Sequence, residues 1–215
     1  MKNLKGIYGI TNDALLPESK LDFAVEEAIK SGCRVLQYRS KIKDWEVRVR
    51  QAESLRLLCE QYQVPLIIND SIELCIEVDA DGVHLGKQDS SFEKARDQLS
   101  ADKIIGITCH DSIGAAVSAE EAGADYVAFG RFFPSETKPE ASPAPIEVLT
   151  EAKEKLSIPI VAIGGINAEN GAALITAGAD MLAVINAMFA DESVAQRTAK
   201  PVSYTHLTLP TILLV

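Results

Sequence analysis

AGADYVAFGRFFPSETKP, Ala122 to Pro139, carries the repeating unit of this chain in one stretch. Small residues end a helix at Gly123, an apolar strand follows from Tyr126 to Phe129, and Gly130 turns the chain into a segment holding Ser135, Thr137 and Lys138. The apolar half anchors in a core, while the anion-binding groups are left at the carboxyl end of the strand. That end is where α/β sheets hold ligands. Taken alone, the segment reads equally as a phosphate-gripping loop or as an ordinary solvated turn. The unit recurs: AGADMLAVI at Ala177 to Ile185 repeats AGADYVAFG, and DADGVHL at Asp79 to Leu85 is a weaker third copy. The shared small residues suit a tight helix-to-strand turn, with glycine taking a backbone conformation that costs other residues more.

Outward from this unit the same beat runs along the chain. Apolar runs predict strands at Gly6–Thr11, Val35–Arg39, Leu66–Asn69, Gly82–Gly86, Lys103–Thr108, Tyr126–Phe129, Ile158–Ile163 and Met181–Ile185. Between them lie predicted helices at Leu21–Ser31, Trp45–Tyr62, Ile72–Val78, Ser91–Leu99, Ser112–Ala122, Ile146–Leu156 and Ala168–Ala177. Phe23, Ala24, Ala28 and Ile29 form the expected packed face of the first helix, and Val49, Ala52, Leu55 and Cys59 that of the second. Eight strands alternating with helices predict an α/β fold of the (β/α)8 TIM-barrel type, a single domain over residues 1–200. A doubly wound open sheet is disfavoured, because no dinucleotide fingerprint interrupts the beat. Residues 201–215, PVSYTHLTLPTILLV, have no charged side chain, whereas charged residues make up 24% of the chain. We expect them to be a non-native tail that replaces the end of the last helix, and exclude them from the fold.

The formal charge is −10, from 31 acidic and 21 basic residues, so the global field disfavours nucleic acid and anionic membranes as partners. An anionic substrate needs a local basic pocket. No apolar run reaches the length of a membrane span. Cys33, Cys59, Cys75 and Cys109 lack CxxC spacing and the N-terminus lacks a secretion signal, so reduced thiols and a cytoplasmic location are expected. A homo-oligomer is left open.

A barrel places its chemistry where strands run into the following loops. Those positions hold Gln37, Arg39 and Lys41, then Asn69 and Asp70, Asp89, Thr108 and His110, Ser135, Thr137 and Lys138, Gly164 and Gly165, and Ile185 and Asn186. Arg39, Lys41 and Lys138 can neutralise a polyphosphate. Asp70 and Asp89 fit a magnesium ion that keeps waters and phosphate oxygens. Each carboxylate also reads as a helix cap: Asp70 precedes a helix, and near Asp89 the residue Ser91 caps equally well. Gly164-Gly165 reads either as an anion cradle leading to a helix N-terminus or as a tight turn. His84, inside a strand, is expected to be packed and hydrogen-bonded. Cys109 and His110 are neighbours and so point in different directions, which argues against a thiol nucleophile.

The motifs QYRSK at Gln37, IIND at Ile67, DGVHLGKQD at Asp81, GITCH at Gly106, FGRFFPSETKP at Phe129 and VAIGGI at Val161 resemble, in the same order, those of the thiamine-phosphate synthase family. The resemblance covers Gly6 to about Phe189. It implies a (β/α)8 transferase that joins hydroxymethylpyrimidine diphosphate to thiazole phosphate, with loss of diphosphate to leave a pyrimidine-methyl cation that the thiazole nitrogen captures. It further implies that the pyrimidine diphosphate binds through Gln37, Tyr38, Arg39, Ser40, Lys41, Asn69, Thr108 and Lys138. Arg39, Lys41, Thr108 and Lys138 would be catalytic. Magnesium would sit on Asp70 and Asp89, and the thiazole phosphate on Ser135, Glu136, Thr137, Gly165, Ile185 and Asn186. The chain departs from the family pattern at Thr108 and Asn186, where serine is common, and at Arg131-Phe132, where Pro-Ile is frequent. The alternatives are a thiazole tautomerase-like isomerase and a non-catalytic phosphate-ligand sensor on the same barrel.

Overall fold

The computed structural model describes residues 4–86, 92–134 and 143–190. Strands and helices alternate as β1 Gly6–Ile10, α1 Glu18–Lys30, β2 Cys33–Tyr38, α2 Trp45–Tyr62, β3 Leu66–Asn69, α3 Ile72–Glu77, β4 Gly82–Leu85 and α4 Phe92–Gln98. They continue as β5 Ile104–His110, α5 Ile113–Ala122, β6 Tyr126–Gly130, α6 Glu147–Lys155, β7 Ile160–Ile163, α7 Gly171–Thr176, β8 Met181–Val184 and α8 Asn186–Phe189. The strands pair in sequence order and β8 returns to β1, which closes a barrel of eight parallel strands. The predicted (β/α)8 fold is the observed one.

Period two along each strand divides the core in two. Tyr8, Ile10, Val35, Ile67, Ile104, Tyr126, Ala128, Val161, Met181 and Ala183 fill the barrel. The alternate residues, among them Ile7, Leu36, Leu66, Ile68, Val83, Ile105, Val127, Phe129, Ile160 and Leu182, pack against the surrounding helices. With both strand faces buried, the strands are mainly apolar instead of alternating with polar residues.

The repeated turn has a further function that its small residues did not reveal. Gly123 and Gly178 take left-handed φ of +99° and +122° after their helices, and Asp79 stands in the same place with φ +51°. The next residue's N–H returns to the helix five residues back, Ala80 to Cys75, Ala124 to Ala119 and Ala179 to Leu174. The following aspartate then accepts from an N–H at the start of the neighbouring strand, its first or second: Asp81 from Leu66, Asp125 from Ile105 and Asp180 from Ile160, at 2.8–3.0 Å. One short motif thus stops a helix and sets the register of a strand.

Two expectations change. In α1 the buried stripe is Leu21, Ala24, Val25, Ala28 and Ile29, while Phe23 is 68% exposed, because it lies off the i, i+3, i+4, i+7 line that Leu21 begins. Helix α7 starts at Gly171 and not at Ala168, because the side chains of Asn167 and Asn170 accept from nearby backbone N–H groups and hold that segment in turns. Among the described residues no helix is long and apolar enough to cross a membrane. Residues 191–215, with the expected tail, lie outside the described part.

Candidate active site

At the carboxyl end of the barrel, strand parity selects which side chains face inward. Gln37 and Arg39 continue the inward row of Val35, Asn69 that of Ile67, Thr108 that of Ile104, and Ile185 that of Met181 and Ala183. Segments far apart in the chain therefore meet at one mouth. Tyr38 has the other parity: its buried ring lies between β2 and α2, and its hydroxyl donates to Gln51 Oε1 at 2.8 Å. Any contact between Tyr38 and a ligand at the mouth would come from its backbone.

The segment after β2 is held from below by Thr11. This residue is 2% exposed, and its hydroxyl accepts from the Arg39 N–H at 2.9 Å while donating to the Arg39 carbonyl at 3.2 Å. Asp13 accepts from the Lys41 N–H at 2.5 Å, and the Ser40 hydroxyl accepts from the Ile42 N–H. The backbone is thus fixed while the cationic heads are not. Among the described residues neither the Arg39 guanidinium nor the Lys41 ammonium has an ion-pair or hydrogen-bond partner. Two neighbouring cationic heads that no described residue pairs with attract an anion.

Asp70 follows β3 with a left-handed φ of +63°, and its N–H donates to the His84 carbonyl. Its carboxylate accepts from Asn69 Nδ2 at 2.6 Å. The cap of α3 is Ser71, whose hydroxyl accepts from the Leu74 N–H at 3.2 Å. Of the two readings of Asp70, the capping one therefore fails: Ser71 is the cap, and the Asp70 carboxylate is exposed at the mouth. Among the described residues there is no cluster of three or more potential metal ligands, and Asp89 lies outside them.

Gly164 and Gly165 take φ of +103° and +63°. A Cβ at these positions would lie 2.2 Å from Arg131 Cβ and 2.3 Å from the Pro134 carbonyl oxygen, so the pair lets the segment after β6 lie directly on the segment after β7. Phe133 N–H donates to the Gly164 carbonyl, and Asn170 Nδ2 donates to that of Gly165. No helix begins directly after the glycines. The short α8 instead opens right after Ile185, on the strand next to β7. Ile163 pairs with Ala183, so Gly165 and Ile185 leave the same ends of neighbouring strands. Ser135, Glu136, Thr137 and Lys138 lie outside the described residues.

Beneath this mouth the barrel is polar where the sequence reads as apolar. Gln37 Nε2 donates to the Tyr8 hydroxyl at 2.9 Å, the Tyr8 and Tyr126 hydroxyls are 2.7 Å apart, and Tyr126 lies 2.9 Å from His84 Nδ1. His84 Nε2 completes the line at 2.8 Å from Thr108 Oγ1. His84 is packed and hydrogen-bonded, as expected. Burial pushes both phenols well above the ordinary tyrosine range, so both stay protonated at any working pH. Cys109 is buried with its thiol pushed up to about 12 by burial, and His110 is exposed, so they form no nucleophilic pair. Thr11, Tyr8 and Tyr126 were missed from sequence. The available signals were a hydroxyl at the end of the first strand and phenols set among aliphatic residues at inward positions.

A closed parallel barrel with cations, amides, a carboxylate and a hydroxyl at the carboxyl ends of its strands is built as (β/α)8-barrel enzymes are. Residues 7–188 match the family model described as thiamine monophosphate synthase. The thiamine-phosphate synthase of Nitrosococcus oceani is 48% identical over 197 residues, covering 92% of this chain and 91% of the relative. That of Marinobacter nauticus is 50% identical over 184 residues, covering 86% and 82%. The solved thiamine phosphate pyrophosphorylase from Pyrococcus furiosus superposes with a TM-score of 0.87 at 33% identity, covering 96% of this chain and 98% of its own. The chain belongs to the thiamine monophosphate synthase family.

Proposed function

We infer that the chain is a thiamine-phosphate synthase, a transferase that condenses hydroxymethylpyrimidine diphosphate with thiazole phosphate and releases diphosphate. The observation that carries this reading, beside membership of the family, is the pair of cations Arg39 and Lys41 on a braced backbone after β2, with the exposed carboxylate of Asp70 after the neighbouring strand β3.

In this reading Arg39 and Lys41, with Lys138, hold the diphosphate and stabilise the negative charge that grows on it as the bond to the pyrimidine methylene breaks. Thr108 joins them on the diphosphate, while Gln37 and Asn69 orient the pyrimidine half, together with the backbone of Tyr38 and Ser40. Asp70 and Asp89 would hold a magnesium ion, which when bound neutralises phosphate charge as a Lewis acid. The exposed Asp70 carboxylate, relieved of capping by Ser71, fits that role. The thiazole phosphate would lie between the ends of β7 and β8, held by Gly165, Ile185 and Asn186 and by Ser135, Glu136 and Thr137. Loss of diphosphate leaves a pyrimidine-methyl cation, and the thiazole nitrogen captures it. Neither step needs a protein nucleophile, which agrees with the inert Cys109.

An isomerase on this barrel has no leaving group for Arg39, Lys41 and Asp70 to serve. Titration of the purified chain with the pyrimidine diphosphate, with and without magnesium, followed by addition of thiazole phosphate and assay of released diphosphate, tests the reading. Magnesium-dependent binding and stoichiometric diphosphate release are expected. Binding without turnover would instead identify a sensor.

A further inference from the structure

We infer that His84 and Tyr126 are positioning residues that act through Thr108: a one-way chain of hydrogen bonds holds His84 as its neutral Nε2–H tautomer, so that Thr108 accepts from His84 and directs its own proton into the mouth. The chain runs from Gln37 through Tyr8, Tyr126 and His84 to Thr108, with contacts of 2.9, 2.7, 2.9 and 2.8 Å, and crosses five strands of the barrel.

Its direction follows from counting protons. Each phenol has one proton and each contact needs one donor. Gln37 Nε2 donates to Tyr8, so the Tyr8 proton must go to Tyr126, because Tyr8 is 1% exposed and a buried unpaired hydroxyl proton is costly. Tyr126 already accepts and must donate to His84 Nδ1. With Nδ1 an acceptor, the ring proton of the neutral imidazole is on Nε2 and points at Thr108 Oγ1. Thr108 is half-buried at the inward end of β5, and its own proton remains for the ligand. Rotating the Gln37 amide by half a turn would reverse every link: His84 would carry its proton on Nδ1, and Thr108 would spend its proton on His84. A phosphate oxygen only accepts, so only the first direction gives it a donor.

The rings are fixed for this purpose. The His84 and Tyr126 rings stack 15° from parallel with centroids 5.5 Å apart, and the Tyr8 ring meets Tyr126 edge-on at 5.9 Å.

The consequence for turnover rests on the synthase reading, while the tautomer does not, and the experiment separates them. In the folded chain at neutral pH, nitrogen NMR of labelled histidine should show His84 with a bare Nδ1 and a protonated Nε2. A proton on Nδ1 overturns the inference. In kinetics, Tyr126→Phe should lower kcat about tenfold, the rate equivalent of one lost hydrogen bond, with the KM for the pyrimidine diphosphate little changed. The same substitution in a Thr108→Val background should have no further effect. Losses that multiply would mean that the Tyr126 hydroxyl acts independently of Thr108, and would also overturn it. A wild-type chain that binds both substrates without turnover would refute the functional reading alone, and the tautomer would still test the chain of bonds.

Discussion

Gly106 and Tyr126 face each other across β5 and β6, and a Cβ on Gly106 would lie 2.0 Å from the Tyr126 Cζ. The tyrosine ring thus occupies the volume in which any larger residue at 106 would place its side chain, and this sets how far the phenol reaches toward His84. Gly106→Ala should destabilise the barrel by about 1–3 kcal/mol through overpacking. In a Tyr126→Ala background the same change should cost much less. Denaturant unfolding of the four chains of this cycle checks it, and equal costs in both backgrounds would show that the close approach is not the cause.

Ser71 takes the helix cap that the sequence reading offered to Asp70. Ser71→Ala should cost about 1 kcal/mol of stability, as loss of a helix cap does, and leave the magnesium dependence of turnover unchanged. Asp70→Asn keeps a residue that tolerates the left-handed φ of +63°. It should fold normally and lower magnesium-dependent kcat/KM roughly a hundredfold, a loss of the size seen when a group stabilising transition-state charge is removed. Steady-state assays across magnesium concentrations, with urea midpoints alongside, distinguish the two residues. An Asp70→Asn chain with undiminished turnover would return that carboxylate to a local structural role.

Thr11 holds the Arg39 backbone through its hydroxyl. Thr11→Val preserves shape and removes both hydrogen bonds to the Arg39 backbone, leaving a part-buried donor and acceptor unmatched. The expected cost is about 1–3 kcal/mol. The KM for the pyrimidine diphosphate should rise, because the cation loses its fixed base. Thr11→Ser, which retains the hydroxyl, should restore most of the affinity.

Burial pushes the Cys33 thiol from 9.0 up to about 11. Between those values the unfolded chain has lost a proton that the folded chain keeps, so stability falls as pH rises: this contribution is complete below pH 9 and is gone above 11. Serine does not titrate there and can keep the 3.1 Å bond that Cys33 Sγ donates to the Val35 carbonyl. The stability of wild type relative to Cys33→Ser should therefore fall by roughly 3 kcal/mol between pH 9 and 11. Paired urea titrations at each pH measure it. A difference that stays constant with pH would mean that the thiol ionises as readily folded as unfolded.

The amino-acid order was sufficient for the barrel and for which of the described residues end its strands. Local periodicity, glycine stops and the AGAD repeat are short-range signals, and each strand-helix unit is closed by contacts within its own neighbourhood. Direction was a different matter. Tyr38 and Arg39 are adjacent, yet one packs its ring toward α2 and the other reaches the mouth, a choice made by strand parity once the barrel closes. Tyr126 read as part of an apolar run, and only closure, which brings β1, β2, β4, β5 and β6 around one axis, put its hydroxyl between Tyr8 and His84. The helix cap passed from Asp70 to Ser71 for a similar reason: the Asp70 N–H is drawn to the His84 carbonyl on the next strand, which turns its carboxylate away from α3. Composition and spacing determine which chemical groups are available, because they act within a few residues. Which atoms meet depends on hydrogen bonds between strands dozens of residues apart, and those exist only after the sheet has closed.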